Sequence, residues 1–203
     1  MATKITGTVS GDPLIEVEIG GVFYPWKQAI DNWVTVTAVT GSPASASYTD
    51  ADGVEWTYYK WTGSGSVTVT AGVVDALVLG GGGGGKSGVW NGMGGYSRTG
   101  LHVLPVGTHT ITIGSGGAGG AASAAAAAGG NSSIGSLVIG TGGGVANQQT
   151  SFTSDITGTS LTYAEGADTS PDTNFGDGGT QLSNTAGSSG IAIIRVPSQF
   201  AQA

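Results

Sequence analysis

Six consecutive glycines, residues 80–85, constrain the fold of this chain more than any other feature of its sequence. They directly follow an apolar stretch, residues 73–79, which predicts a buried strand. The run has no side chain to pack or ionise, so only its backbone N–H and C=O groups can hold it, and these need partners when buried. Glycine also loses more conformational freedom on folding than any other residue. The run is therefore either a flexible loop or a segment locked against other backbone.

The second possibility leads to a specific structural prediction. Glycine runs can adopt the polyproline II conformation, which has about three residues per turn and no internal hydrogen bonds. Segments without Cβ atoms can pack side by side in this conformation and bond backbone to backbone. The glycine-rich residues 116–120 and 142–144 are the expected partners. The alanine run at 124–128 is flanked by glycines and is too short for a stable helix, so we expect an extended or loop segment.

The composition predicts a folded protein with few charges. Glycine accounts for 40 of 203 residues, and charged residues make up 9%, against about 25% in an ordinary domain. Because 38% of the residues are hydrophobic, the chain can build a core. The net charge of −7, with only six lysines and arginines, disfavours nucleic acid as a partner. The absence of cysteine excludes disulfides and thiolate ligands.

Targeting signals are not evident in the sequence. The first residues lack the apolar segment of a signal peptide, and no stretch reaches the roughly 18 apolar residues of a membrane span. We therefore expect no membrane insertion. A protein of this kind that works outside a cell would be released by lysis or assembled into a particle.

The sequence divides into two regions of different character. Residues 1–79 contain nine glycines and eight of the 13 acidic residues, whereas residues 80–190 contain 31 glycines. We therefore predict a small N-terminal β region, residues 1–62, for attachment or oligomer contacts, and a glycine-rich domain, residues 63–203. Aromatic side chains often anchor interfaces, so the tryptophans of the first region are candidate docking residues: Trp26, Trp33, Trp56 and Trp61.

Strand-like segments before and after the glycines predict an all-β fold. Residues 73–79 and 191–196 are both strongly apolar, and we expect them to pair at the centre of a sandwich. Gly20 and Gly21 predict a two-residue hairpin turn. The predicted fold is a jelly-roll-like β-sandwich with glycine-rich loop segments of polyglycine II type, preceded by the small N-terminal β region.

A series of motifs between residues 66 and 197 resembles the glycine-rich domain of bacteriophage tail proteins. In order, it comprises the strand and hexaglycine at 74–85, LPVGTHTITIGSGGAGG at 104–120, GGNSSIGSL at 129–137, TGGG at 141–144 and GSSGIAIIRV at 187–196. A shorter stretch, VEIGGVFYPWK at 17–27, resembles a hairpin motif of minor tail proteins from phages of actinobacteria. The resemblance implies a minor tail or tail-tip protein of a phage virion, with a role in host-surface binding and no catalysis. The alternative is a purely architectural virion subunit without a ligand.

The same resemblance implies the partners: other tail proteins, a glycan or protein of the host envelope, and further copies of the chain, with a trimer as one form. Trp90, Asn91 and Tyr96 interrupt the glycines after the central run. Exposed aromatic residues beside asparagine and serine are typical of surfaces that bind sugars or protein loops, so these three are candidate receptor-binding residues. The alternative is that they cap the edge of the sandwich.

Other motifs give weaker indications of chemistry. Gly80 to Ser87 match the P-loop pattern, a remote indication of nucleotide binding, but the glycines after Lys86 disfavour the helix that a P-loop requires. His102 and His109 are predicted to be solvated strand histidines, and the aspartates at 168, 172 and 177 a solvated acidic loop. We predict no catalytic residue, metal or cofactor.

Overall fold

The computed structural model describes residues 3–9, 12–19, 22–25, 32–121, 123–145, 151–166, 174–181 and 185–203, the first three ranges by their backbone only. These residues form fifteen strands and one short 3-10 helix, Ser198–Phe200, which confirms the all-β prediction. The strands are β1 Thr3–Val9, β2 Asp12–Ile19, β3 Val22–Pro25, β4 Val36–Thr40, β5 Ala44–Thr49, β6 Glu55–Trp61, β7 Gly65–Val69, β8 Gly72–Leu79, β9 Ser97–Leu104, β10 Gly107–Thr112, β11 Ser132–Ile134, β12 Val138–Gly140, β13 Phe152–Ser154, β14 Leu161–Tyr163 and β15 Ile191–Pro197.

Two five-stranded antiparallel sheets form a β-sandwich. Sheet I has the strand order β5-β6-β15-β8-β9, and sheet II has the order β12-β11-β10-β7-β4. Buried residues from both sheets form one core, among them Trp61 and Val74 of sheet I and Val67 and Ile111 of sheet II. The predicted β-sandwich is therefore present.

The two most apolar strands lie side by side in sheet I, as predicted. β15 pairs antiparallel with β8, with Ile194 opposite Ala76. These two residues belong to the core between the sheets, whereas Leu77 and Ile193 belong to a second core under the β13–β14 hairpin. Because both faces of these strands are largely buried, their sequences are apolar apart from Asp75 and Arg195 and do not alternate.

The N-terminal strands form a separate three-stranded sheet in the order β1-β2-β3. Ile19 pairs with Val22, while the predicted turn residues Gly20 and Gly21 lie outside the described residues. The predicted boundary at residue 62 does not separate two units, because β6 pairs with β15 and β4 pairs with β7. Glycine content divides the chain there, but the glycine-poor strands β4 to β6 complete both sheets, so the sandwich begins between β3 and β4.

Candidate functional site

The hexaglycine is a buried segment whose amides all donate hydrogen bonds. Its amides bond in pairs to three other segments: Gly81 and Gly84 to the carbonyls of Gly130 and Ala127, Gly82 and Gly85 to those of Ser188 and Thr185, and Gly80 and Gly83 to those of Tyr96 and Met93, at 2.8–3.3 Å. Amides three residues apart in the hexaglycine therefore donate to the same neighbouring segment. This is the three-residue period of the polyproline II helix.

The carbonyls of residues 80–85 accept hydrogen bonds from three further segments. The amides of Gly117 and Gly120 donate to Gly82 and Gly85, that of Gly143 to Gly81, and that of Gly179 to Gly83, at 2.8–2.9 Å. Both glycine-rich partners expected from the sequence are thus among six neighbours. The other four contain residues such as Met93, Ala127 and Ser188, and their mixed composition concealed them.

The six neighbours form a closed ring around residues 80–85. In ring order they are residues 91–96, 141–144, 126–130, 114–120, 185–190 and 176–180, and consecutive members run in opposite directions. One bond for each contact of the ring is Met93 N to Gly144 O, Gly129 N to Gly143 O, Ala127 N to Ala118 O, Gly187 N to Gly117 O, Ser188 N to Asp177 O and Gly92 N to Gly179 O, at 2.7–3.0 Å. We call the seven segments the glycine bundle.

Backbone contacts explain why the centre of the bundle is glycine. A Cβ atom on Gly82 would lie 1.9 Å from the carbonyl oxygen of Asp177, and one on Gly83 would lie 2.0 Å from that of Gly144. Glycine is also required where ring segments meet, since a Cβ atom on Gly116 would lie 1.8 Å from the carbonyl oxygen of Gly187. In the segment at 114–120, Gly114, Gly117 and Gly120 are buried, and the next residue after each is an exposed serine or alanine. This three-residue period is visible in the sequence and would have identified the segment.

The far end of the glycine bundle, which we call the tip, carries Trp90 and Asn91. Residues 86–90 turn tightly there, with the amide of Lys86 donating to the carbonyl of Trp90 at 2.8 Å. The ammonium of Lys86 lies 5.5 Å from the centre of the Trp90 ring, a cation–π contact. The side-chain oxygen of Asn91 accepts a hydrogen bond from the amide of Gln181 at 2.7 Å. The indole Nε1 of Trp90 is buried and has no hydrogen-bond partner in the described part of the chain.

Tyr96 lies at the other end of the bundle, next to the sandwich. Its carbonyl accepts from Gly80, the first glycine of the central segment, and its amide donates to Thr141. The segment at 91–96 runs from the tip to this base over about 15 Å, at about 3.1 Å per residue. The three candidate receptor-binding residues therefore do not form one site: Trp90 and Asn91 lie together, and the exposed Tyr96 lies apart.

The candidate docking tryptophans are also in different environments. Trp33 and Trp56 pack edge to face, with ring centres 5.2 Å apart, and both are half-buried. Trp61 is fully buried in the core between the sheets, and its indole N–H donates to the carbonyl of Thr40 at 2.8 Å. Trp61 cannot contact a partner from this position. Trp26 lies outside the described residues.

A polar cluster that the sequence analysis overlooked surrounds Arg195. Its Nε donates to Asp75 Oδ2 at 2.7 Å, its Nη1 donates to the hydroxyl of Tyr48, and its guanidinium lies 4.7 Å from the Trp56 ring centre. Burial opposes the charge, but the neighbouring Asp75 and Tyr48 outweigh it and raise the pKa of Arg195. Arg195 and Asp75 are single charges in otherwise apolar strands, which was the signal available in the sequence.

The remaining titratable candidates differ from their predicted environments. His102 is half-buried with its Nε2 buried and unpartnered in the described part of the chain, and burial followed by the nearby Arg98 lowers its pKa. Asp177 is buried and accepts the amide of Glu165, so it does not lie in a solvated loop. The aspartates at 168 and 172 lie outside the described residues. The residues that the structure describes include no group of three side chains suited to a metal ion.

The P-loop interpretation conflicts with this geometry. A P-loop needs free backbone amides and a helix that begins at its lysine. Here the amides of residues 80–85 are bonded to protein carbonyls, and residues 86–90 form a turn.

Comparison of the chain with protein-family models, curated proteins and solved structures finds no match. The described residues contain no helix long and apolar enough to cross a membrane.

Proposed function

We propose that this chain is a minor tail protein of a bacteriophage virion, and that its glycine bundle is presented at the tail tip and binds the host surface. The observation that carries the proposal is the closed ring of backbone-bonded segments around residues 80–85. Such a body is held by main-chain hydrogen bonds and needs few charged side chains. This construction suits a projection of a particle exposed to varied salt, because surface charge pairs weaken as salt rises.

The polarity of the molecule supports separate attachment and contact ends. The chain enters the sandwich beside the start of β8, where the amide of Val34 donates to Val73 at 2.9 Å. The bundle begins at the other end of β8, after Leu79, about 23 Å away at about 3.3 Å per residue. The tip of the bundle therefore lies beyond one end of β8, and the chain enters from the N-terminal strands at the opposite end.

The tip offers residues suited to a receptor contact. Val89 is 42% exposed, and Trp90 and Asn91 follow it on the same turn. An apolar and aromatic surface beside an amide is typical of surfaces that bind sugars or protein loops.

A purely architectural subunit is the second candidate function. The observation that favours it is the exposed surface of the ring segments, which includes small side chains such as Ala118, Ala127 and Ala186. Methyl groups alone give little basis for selecting a ligand.

Binding of the fluorescently labelled full chain to intact actinobacterial cells separates the two functions. We expect binding that falls at least about tenfold in the Val89→Asp and Trp90→Ala variants, the loss expected of a central contact. Tyr96→Ala is the matched control, because it removes an exposed aromatic side chain at the base. Thermal melts establish that each variant folds.

Two results would contradict the proposal. Equal binding by tip and base variants would remove the tip as the contact, and no binding to any cell would favour the architectural function. Gold-labelled antibody against the chain should mark the tail tip of virions, and label confined to the head would exclude a tail protein.

A further inference from the structure

The outer face of sheet II carries no charge. None of its five strands, β4, β7, β10, β11 and β12, contains Asp, Glu, Lys or Arg. The strands of sheet I contain all the charged residues of the sandwich strands: Glu55, Lys60, Asp75, Arg98 and Arg195. Because the whole chain has a net charge of −7, this asymmetry leaves one broad neutral surface on an acidic molecule.

Hydroxyl side chains form rows across this face. Thr40, Ser66 and Thr110 are register partners in β4, β7 and β10, and Thr68 pairs with Thr108 in the next row. The hydroxyl oxygens of Thr40 and Ser66 lie 2.8 Å apart, and those of Thr68 and Thr108 lie 2.9 Å apart. These hydroxyls bond to one another, so a partner that covers the face breaks few hydrogen bonds to water. The same contact removes the threonine methyl groups from water, which favours association.

Exposed apolar side chains lie at the β12 edge of the same sheet. Ile139 continues the row of Thr112 and Ser133 and is 45% exposed, and Leu137, in the turn before β12, is 49% exposed. Depletion of charged residues is part of the compositional signal of the centre of protein–protein interfaces.

We propose that copies of this chain associate through the outer face of sheet II. This inference goes beyond host binding and does not depend on it. Two copies with the same net negative charge repel each other wherever their charged surfaces meet, and the neutral face is where they approach with the least repulsion. A partner chosen by opposite charge would need charged residues on this face, and its strands have none.

The neutral surface extends across sheet II from β4 to β12. The exposed residues of its strands are all uncharged: Thr37, Ala38, Thr40, Thr108, Thr110, Thr112 and Ile139.

The test is the mass of the full chain in solution, measured by sedimentation over a concentration series, for the wild type and two lysine variants. Thr110→Lys places a charge in the middle of the face, and Thr99→Lys makes the same change at an exposed threonine of β9 in sheet I. We expect an oligomer for the wild type and for Thr99→Lys, and an apparent Kd at least about tenfold higher for Thr110→Lys. A monomeric wild type at high micromolar concentration, or equal association by both variants, would overturn the proposal.

A second measurement covers the case in which Thr110→Lys does not fold. The chain has no cysteine, so single Thr110→Cys and Thr99→Cys variants each carry one thiol. Alkylation at Thr110→Cys should slow as the concentration rises into the oligomeric range, while alkylation at Thr99→Cys stays constant. Equal rates at both positions would exclude this face.

Discussion

At the scale of single residues, the absence of a side chain determines the structure of the central segment. Gly83 has the carbonyl oxygens of Gly144 and Gly143 where a Cβ atom would lie, and its own amide donates to Met93. Some positions of the ring carry exposed alanine or serine instead, such as Ser115 and Ala118. Glycine is therefore obligatory at Gly117, where a Cβ atom would lie 2.0 Å from the carbonyl oxygen of Ala127, and absent at the next position, Ala118.

Gly83→Ala should destabilise the protein strongly. Its Cβ would lie 2.0 Å from the backbone oxygen of Gly144, and because backbone on every side prevents relaxation we expect a loss of at least about 3 kcal/mol in the free energy of unfolding. Gly63→Ala is the matched control: nothing lies within 4 Å of its Cβ position, so its effect should stay within about 1 kcal/mol. Urea denaturation measures both, and similar losses would contradict the packing described here.

His102 should make stability depend on pH. Burial and the nearby Arg98 lower its pKa in the folded protein, so the unfolded chain binds the proton first as the pH falls. The contribution of neutral His102 to the free energy of unfolding is fully present above about pH 6.5, and it decreases as the pH falls toward the pKa of His102 in the folded protein. Urea denaturation between pH 7.5 and 5.5 should show a smaller decrease for His102→Gln than for the wild type. His109→Gln is the control, and an unchanged slope in the His102 variant would refute this role.

At the scale of elements, β8 joins the two parts of the molecule. Its alternate residues enter two different cores, and its last residue leads directly into the central glycine segment. Its strand character and its pairing with β15 were predictable, because both strands are strongly apolar. The ring was predictable only in part. Its buried glycines recur every three residues, but alanine and serine stand between them, and such a sequence resembles a low-complexity segment.

Hydrogen exchange should distinguish a packed glycine bundle from a loose loop. The amides of residues 81–85 are buried and bonded to other segments, so we expect them to exchange only when the whole domain unfolds. The amide of the exposed Gly63 should exchange rapidly under the same conditions. Residue-resolved exchange by NMR measures both. Rapid exchange throughout residues 81–85 would mean that the segment is not locked.

At the scale of the whole molecule, the sandwich separates the entry of the chain from the tip of the bundle. β4, β5 and β6 come from the glycine-poor part of the chain, yet they complete both sheets. The unit that includes the glycine bundle therefore extends from about residue 32 to the end of β15 and the short helix that follows it.

Two truncations test this boundary. A chain of residues 32–203 keeps every strand of the sandwich, and we expect it to melt cooperatively within about 4 °C of the full chain, a change of about 1 kcal/mol. A chain of residues 63–203 starts at the boundary that composition suggests, and it lacks β4 to β6 with Trp61 and Tyr59 of the core. It should not fold cooperatively. Calorimetry measures both, and a folded 63–203 chain would restore the earlier boundary.

The all-β class, the pairing of β8 with β15 and the backbone bonding of the hexaglycine were predictable from the amino-acid sequence. These follow from local properties: apolar runs, turn residues and the absence of side chains. Three other features became visible in the folded structure: which segments surround the glycines, the separation of Tyr96 from Trp90, and the burial of Trp61 in the core. Those facts depend on contacts between residues distant in the chain. In a bundle held by main-chain groups, which every residue possesses, side-chain identity says little about which segments become neighbours.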